Sequence, residues 1–151
     1  TEKLRITSAG AVTIPNQPVA SFTITSGGSS FTTNQNVFAT TGVTAYALQG
    51  ITHNTGTGRF TVPVAGMYYI HFFSMKNGGN IAYYQVHKNG ADTLGLRIYD
   101  DTTNVSGWSP YGLGGVFSLA ANDYVTVICA SGATNNAHGL KHMNFSMHLI
   151  G

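Results

Sequence analysis

Residues 59–75 read RFTVPVAGMYYIHFFSM, and their pattern is the strongest indication of the fold. After a turn sequence, PVAG at 63–66, the side chains alternate with the two-residue period of a β-strand. The two faces of the predicted strand are Tyr68, Ile70 and Phe72 on one side and Met67, Tyr69, His71 and Phe73 on the other. Both faces are largely apolar, whereas a strand in a two-sheet sandwich normally turns a polar face to water.

A strand with two apolar faces has two interpretations. It can be a central strand that is buried within a single subunit, or its second face can be covered by another copy of the chain. In a small all-β chain, the cover that we expect is another copy. The predicted interface candidates are Met67, Tyr69, His71, Phe73, Tyr68 and Phe72.

Composition restricts the class of protein. The 151 residues suffice for one domain with a core of its own, and the chain is rich in Gly, Thr, Ser and Asn, which favours an all-β fold with short turns. Only 8% of the residues are charged. The net charge of +2 is too small, and the Lys and Arg residues are too scattered along the sequence, for a nucleic-acid binder. No apolar run approaches the ~20 residues of a membrane span. The single cysteine, Cys129, excludes an internal disulfide and is expected to be a buried apolar residue rather than a reactive thiol.

The remaining sequence predicts eight to ten short strands and no helix, as in a sandwich or jelly roll. The sequence Asn89-Gly90 predicts a tight hairpin, because both turn positions need positive φ. Residues 100–112 are expected to form a polar loop, and residues 143–150 a half-buried last strand. Strands are predicted at residues 19–24, 36–40, 44–48, 59–62, 67–75, 81–87, 93–99, 113–119, 124–130 and 143–150.

Residues 1–17 are predicted to be separate from a globular domain at 18–151, because they contain two short strand-like pieces and no core of their own. Residues 3–14, KLRITSAGAVTI, resemble the RLRITSxGxVxI segment that recurs in bacteriophage tail fibres. The chain begins at Thr1 without Met, so it is expected to be a processed product or part of something longer. The leader is accordingly interpreted as a linker, a stalk segment or a clamp.

Residues 18–151 resemble the globular head of the complement component 1q family, which shares its trimeric jelly roll with tumour necrosis factor. The matching pieces are PVASF at 18–22, the spaced residues Phe60, Gly66, Tyr68, Ile70 and Phe72, KNG at 88–90, LAANDYV at 119–125 and FSMHLI at 145–150. The resemblance implies an all-β jelly-roll homotrimer. The chain departs from the pattern upstream of Phe60, where His53 lies near an expected aromatic residue.

The loop predicted at 100–112 contains the receptor-binding candidates Trp108, Tyr111, Tyr99 and Asn104. Aromatic faces beside hydrogen-bonding groups can stack on sugar rings and bond their hydroxyls. The alternative is that Trp108 packs into the subunit interface.

Metal sites have weaker support. The pair His138 and His142 lacks the cysteine partners of a zinc site. In a trimer, His71 could supply three converging ligands to an axial metal, and Asp100 with Asp101 could supply oxygens to a structural calcium. No motif of a nucleophile, carboxylate pair or phosphate loop is present, so we expect no enzyme and no dedicated cofactor.

The sequence therefore predicts a phage virion protein, assembled in the host cytoplasm, that forms the trimeric knob of a fibre and binds a host-surface glycan or protein. The main alternative is a trimer that decorates and stabilises the capsid through contacts with other virion proteins. A bacterial surface adhesin is a third hypothesis.

Overall fold

A computed structural model describes residues 5–6, 8–10, 12–13, 16–25, 29–77, 81–100, 107–130, 135–137 and 142–150. These residues contain strands and turns but no helix, and thus no helix that could cross a membrane. The strands are β1 (Arg5–Ile6), β2 (Val12–Thr13), β3 (Val19–Ile24), β4 (Ser29–Phe31), β5 (Val43–Gln49), β6 (Thr52–Asn54), β7 (Arg59–Thr61), β8 (Gly66–Asn77), β9 (Ala82–Lys88), β10 (Arg97–Asp100), β11 (Trp108–Leu119), β12 (Tyr124–Cys129), β13 (Asn135–Ala137) and β14 (Asn144–Leu149).

Two antiparallel sheets form a sandwich. The first has five strands in the order β10-β9-β12-β7-β6. The second has seven strands, in which β11 and β5 lie at opposite edges of the run β11-β8-β14-β3-β5, and β13 and β4 continue the sheet beside the far end of β8. The leader strands β1 and β2 pair with each other in a separate two-stranded sheet.

Strand β8 is an interior strand of the seven-stranded sheet, because it pairs with β11 over its whole length and with β14 on its other side. Its inward side chains, Tyr68, Ile70 and Phe72, are completely buried. Rings from the two sheets meet in the core: Phe72 lies 5.2 Å from the ring of Tyr84 of β9, and Phe60 of β7 stacks on Phe145 of β14 with ring centroids 4.3 Å apart. The structure therefore has the alternation of inward and outward side chains that was predicted for this strand.

The predicted hairpin is present, since Asn89 has φ 52° and Gly90 has φ 82°. The Asp123 side chain links this turn to the turn before β12. Its carboxylate lies 2.8 Å from the Lys88 ammonium and accepts a 2.7 Å hydrogen bond from the Asn89 amide. These contacts, the Lys88 hydrogen bond first, lower the pKa of Asp123 to about 2.

Two predicted strands are wrong or displaced. Residues 36–40 form a turn with one isolated bridge instead of a strand, because the Asn36 side chain accepts a bond from the nearby Phe38 amide and donates one to the Thr57 carbonyl of another turn. The partner of β9 begins at Arg97 rather than at residue 93, since Gly95 adopts a positive φ of 68° that interrupts the extended chain.

The globular part begins beside its own last strand. The Gln17 side-chain amide donates to the Leu149 carbonyl, and the Leu149 amide donates to the Pro18 carbonyl at 3.0 Å. The division at residues 17 and 18 stays a prediction, and these bonds place the start of β3 against the end of β14.

His53 takes the place of an aromatic residue in the core. Its ring stacks on Phe60 with centroids 4.5 Å apart and lies 4.6 Å from the ring of Phe22. Its Nε2 atom is buried without a hydrogen-bond partner. Burial lowers the pKa of His53, and a hydrogen bond with the Phe38 backbone opposes this effect only in part.

We expect His53 to make the fold sensitive to mild acid. Because its pKa is depressed in the folded chain, unfolded chains bind a proton more readily below the ordinary value of 6.5, and stability falls as the pH drops from there. Urea unfolding at pH 7 and pH 5 measures the effect. The variant His53→Phe should reduce the loss, whereas the outward-facing control His87→Gln should retain it. Equal losses in all three proteins would contradict the assignment.

Candidate functional site

The outer face is the surface of the seven-stranded sheet that turns away from the core. Strand β8 contributes four of the predicted interface residues to it: Met67, Tyr69, His71 and Phe73. Met67 is 42% exposed, and the other three are partly buried. The remaining two candidates, Tyr68 and Phe72, lie fully buried in the core of their own subunit, so they support the face from beneath instead of facing a partner.

The side chains of the outer face lie across glycines of β11. A Cβ atom added to Gly114 would come within 2.8 Å of the Tyr69 hydroxyl and 3.3 Å of the His71 ring. A Cβ added to Gly112 would contact the rings of His71 and Phe73 at 3.7 Å. The two glycines therefore let the rings of β8 lie over the neighbouring strand, in the manner of aromatic cover over glycine in a sheet.

The outer face carries no formal charge in the part of the chain that the structure describes. The neighbouring outward residues are Trp108, Pro110, Gly112, Gly114, Val116 and Ser118 from β11, Asn144, Ser146 and His148 from β14, and Val19 and Ser21 from β3. No Asp, Glu, Lys or Arg occurs among them or among the outward residues of β8. Such a face can be desolvated without burying an unpaired charge.

Both edges of the same sheet expose apolar side chains. Edge strand β5 exposes Tyr46 and Leu48, and edge strand β11 exposes Val116 and Trp108. The apolar surface therefore reaches beyond the outer face to both sides of the subunit.

A buried charged cluster lies at the far end of β8. The Lys76 side chain is 2% exposed, and its ammonium lies 2.7 Å from a carboxylate oxygen of Asp100. The Tyr111 hydroxyl donates to the same oxygen, and its ring lies 5.7 Å from the Lys76 ammonium. Burial, together with the hydrogen bond to Asp100, raises the pKa of Tyr111. The cluster joins the two sheets, because Asp100 belongs to β10 and the other two residues belong to β8 and β11.

The predicted recognition residues do not form one loop. Trp108 and Tyr111 belong to β11, which begins at residue 108 rather than at 113, and Asp100 belongs to β10. Trp108 points to the outer face and is 43% exposed, Tyr111 points inward to Asp100, and Tyr99 lies on the outside of the other sheet. Asn104 is outside the described residues.

The metal candidates that the structure describes do not come together in one group. The described residues contain no group of three or more His, Cys, Asp or Glu side chains that could hold a metal ion. The Lys76 ammonium already lies against the carboxylate of Asp100, while Asp101 and His138 are outside the described residues. His71 lies among the rings of the outer face. Cys129 is buried, as predicted.

Comparison with solved structures identifies the architecture. The chain is similar to the structure of Eiger TNF from S. frugiperda, with a TM-score of 0.70 over 90% of this chain and 94% of that chain. The fold is a tumour necrosis factor-like jelly roll. Because the sequence identity is 14%, the similarity concerns the fold alone. No protein-family model matches the sequence, and no curated protein matches it. The predicted all-β jelly-roll fold is confirmed, whereas the predicted homotrimer stays a prediction.

The sequence contained a signal for the buried cluster. Lys76 lies an even number of residues from Tyr68, Ile70 and Phe72, so it points inward as they do. A strand that continues past residue 75 must therefore bury the Lys76 side chain. A buried ammonium requires a carboxylate partner, and Asp100 is one of only five acidic residues in the chain.

We expect Lys76→Met to lower the free energy of unfolding by about 3 kcal/mol, because the partly buried Asp100 carboxylate loses its ammonium partner. The double variant Lys76→Met/Asp100→Asn should recover part of this loss. The control Lys88→Met, which removes the more exposed ion pair with Asp123, should cost about 1 kcal/mol or less. Urea unfolding at pH 7 measures all four proteins. A Lys76→Met protein as stable as the wild type would exclude a stabilising role for the pair.

Proposed function

We propose that the chain assembles as a homotrimer in which the outer face is buried between copies, except at the first residues of β11, where Trp108 stays accessible. The observation that carries this proposal is the absence of formal charge across the described outward positions of β8, β11, β14 and β3. A partly buried row of Tyr69, His71 and Phe73 at the centre of this face, beside the exposed Met67, favours cover by another apolar surface. The resemblance to complement component 1q and tumour necrosis factor supports three copies.

The two sheet edges favour a closed ring over a face-to-face pair. Each copy exposes apolar side chains at β5 and at β11, which lie on opposite sides of the subunit. In a ring, the β5 side of one copy packs against the β11 side of the next, so both surfaces are used once per subunit. Leu48 and Val116 then belong to the same interface from opposite sides.

We propose further that this trimer is the non-catalytic knob of a phage fibre and binds a host-surface glycan or protein. Support comes from the fibre-like sequence at residues 3–14 and from the partly exposed Trp108 at the end of β11. The Lys76, Asp100 and Tyr111 cluster fixes this end of the sandwich, so Trp108 stands on a rigid strand rather than on a mobile loop.

Capsid decoration is the second candidate, and the separate sheet of β1 and β2 favours it. A leader that folds apart from the globular domain could pair with a coat protein and clamp the trimer to the shell. Both candidates place the protein in the virion, and both use the same trimer.

We expect Val116→Lys to dissociate the assembly, because it places an unpaired charge in a surface that assembly desolvates. The dissociation constant should rise about 100-fold or more, as sedimentation at micromolar concentration measures. The control is Thr52→Lys, an exposed position on the outside of the five-stranded sheet, which should assemble like the wild type. A monomeric wild-type protein at these concentrations would overturn the trimer proposal.

We expect Trp108→Ala to reduce binding of the labelled trimer to host bacteria by about tenfold or more, because an aromatic anchor at a recognition surface contributes about 2 kcal/mol. The control is Val64→Ala in the turn before β8, at the opposite end of that strand. Equal binding by both variants would exclude Trp108 as the anchor. Antibody labelling over the whole shell of virions would favour decoration over the fibre.

A further inference from the structure

A second aromatic surface lies on the outside of the five-stranded sheet. Tyr83 of β9 and Tyr99 of β10 are directly paired across the two strands. Their rings meet edge to face, with centroids 5.2 Å apart and planes at 87°. Tyr99 is 62% exposed, which makes it one of the most exposed aromatic side chains described here. The T-shaped contact with Tyr83 orients the Tyr99 ring, while much of the side chain remains exposed.

A row of hydrogen-bonding groups continues from this ring pair along β9. The Gln85 amide donates to the Tyr83 hydroxyl at 2.9 Å, and the Gln85 carbonyl oxygen lies 3.0 Å from Nε2 of His87. Arg97 of β10 is the cross-strand partner of Gln85 and forms an ion pair with Asp92. The surface therefore combines an exposed ring with polar groups that are already oriented by one another.

The formal charges on this surface are balanced. The Arg97 guanidinium is paired with Asp92, and the described side-chain contacts of Tyr83 and Gln85 are with Tyr99, with His87 and with each other. A ligand of large charge would therefore gain little here. A neutral ligand with one apolar face and several hydroxyls matches both halves of the surface.

We propose that Tyr83, Gln85, His87, Arg97 and Tyr99 form a binding site for a neutral pyranose unit of a glycan. The C–H face of the sugar stacks on the exposed ring of Tyr99, and its hydroxyls bond Gln85, His87 and Arg97. Because Tyr83 and Gln85 are fixed before binding, little side-chain entropy is lost.

The proposal rests on the proposed function in surface recognition, and it names the ligand class and a site apart from Trp108. The site lies on the sheet opposite the outer face, so assembly through the outer face leaves it accessible to solvent. A trimer presents it three times, and a weak affinity for one sugar becomes strong for a repetitive surface polysaccharide.

Saturation-transfer NMR of the intact protein tests the proposal with a defined set of probes. The set contains methyl glycosides of glucose, galactose, mannose and N-acetylglucosamine, glucuronic acid, and a neutral peptide of similar size. We expect at least one neutral glycoside to bind with a dissociation constant on the order of 1 mM, as is usual for a single small ligand on an open surface. Binding only of glucuronic acid or of the peptide, or no binding at about 20 mM, overturns the proposal.

The variants assign the site. Tyr99→Ala should weaken the binding about tenfold or more, and Gln85→Met should weaken it while preserving the shape of the side chain. The matched control is Tyr124→Ala, which removes a tyrosine of the same sheet whose ring lies 4.2 Å from the Arg59 guanidinium. Equal weakening by Tyr99→Ala and Tyr124→Ala, or none by either, places the sugar elsewhere and overturns the site.

Two further measurements separate this site from the proposed function. Sedimentation of Tyr99→Ala should match the wild type, because the residue lies outside the proposed interface. If the trimer forms and cells bind it but Tyr99→Ala binds cells and glycosides normally, the pyranose site fails while the knob remains. If the protein is monomeric and still binds glycosides through Tyr99, the trimer proposal fails and the proposed pyranose site stands.

Discussion

The structure depends on the alternation of side chains along β8. One row is sealed between the two sheets, and the other forms the centre of the outer face. Since the two rows belong to one backbone, the register that buries Tyr68, Ile70 and Phe72 also fixes which residues point outward. The packing of the core thereby determines the composition and position of the surface that we propose to be buried in the assembly.

The inward row of β8 changes character at its far end, where Ser74 and Lys76 replace large apolar side chains. At this end, an ion pair rather than the packing of rings joins the two sheets. The Lys76 ammonium on one sheet meets Asp100 on the other, and Tyr111 completes the contact. A buried ion pair of this kind contributes little net stability, yet it tolerates few alternative arrangements of the strands around it. It gives the end that carries Trp108 a defined geometry.

Periodicity sufficed to predict the strands that have a clear apolar row, and Asn89-Gly90 sufficed for the hairpin. Periodicity failed where side-chain hydrogen bonds to the backbone compete with strand pairing, as at Asn36. Residues 108–112 were predicted as part of a polar loop but belong to β11, which is an edge strand beside β8 and can therefore accommodate Pro110. The same error united Tyr99, Trp108 and Tyr111 in one predicted site. Their positions within the strands make Trp108 face the outer face, Tyr111 face the core and Tyr99 face the outside of the other sheet. Only the pairing of β9 with β10 in the structure reveals that Tyr83 lies beside Tyr99.

The bonds that join Gln17 and Pro18 to Leu149 give the jelly roll a polarity. The chain enters β3 and leaves β14 at the end where Ile150 bonds the backbone of Met67. Trp108 and the Lys76 cluster occupy the opposite end of the same strands. Polypeptide attached on either side of the globular part therefore departs from one pole, away from Trp108 and the Lys76 cluster. The domain is thus suited to display: a tether, a tag or a solid support joined near residue 17 or residue 150 would present the end that carries Trp108 outward.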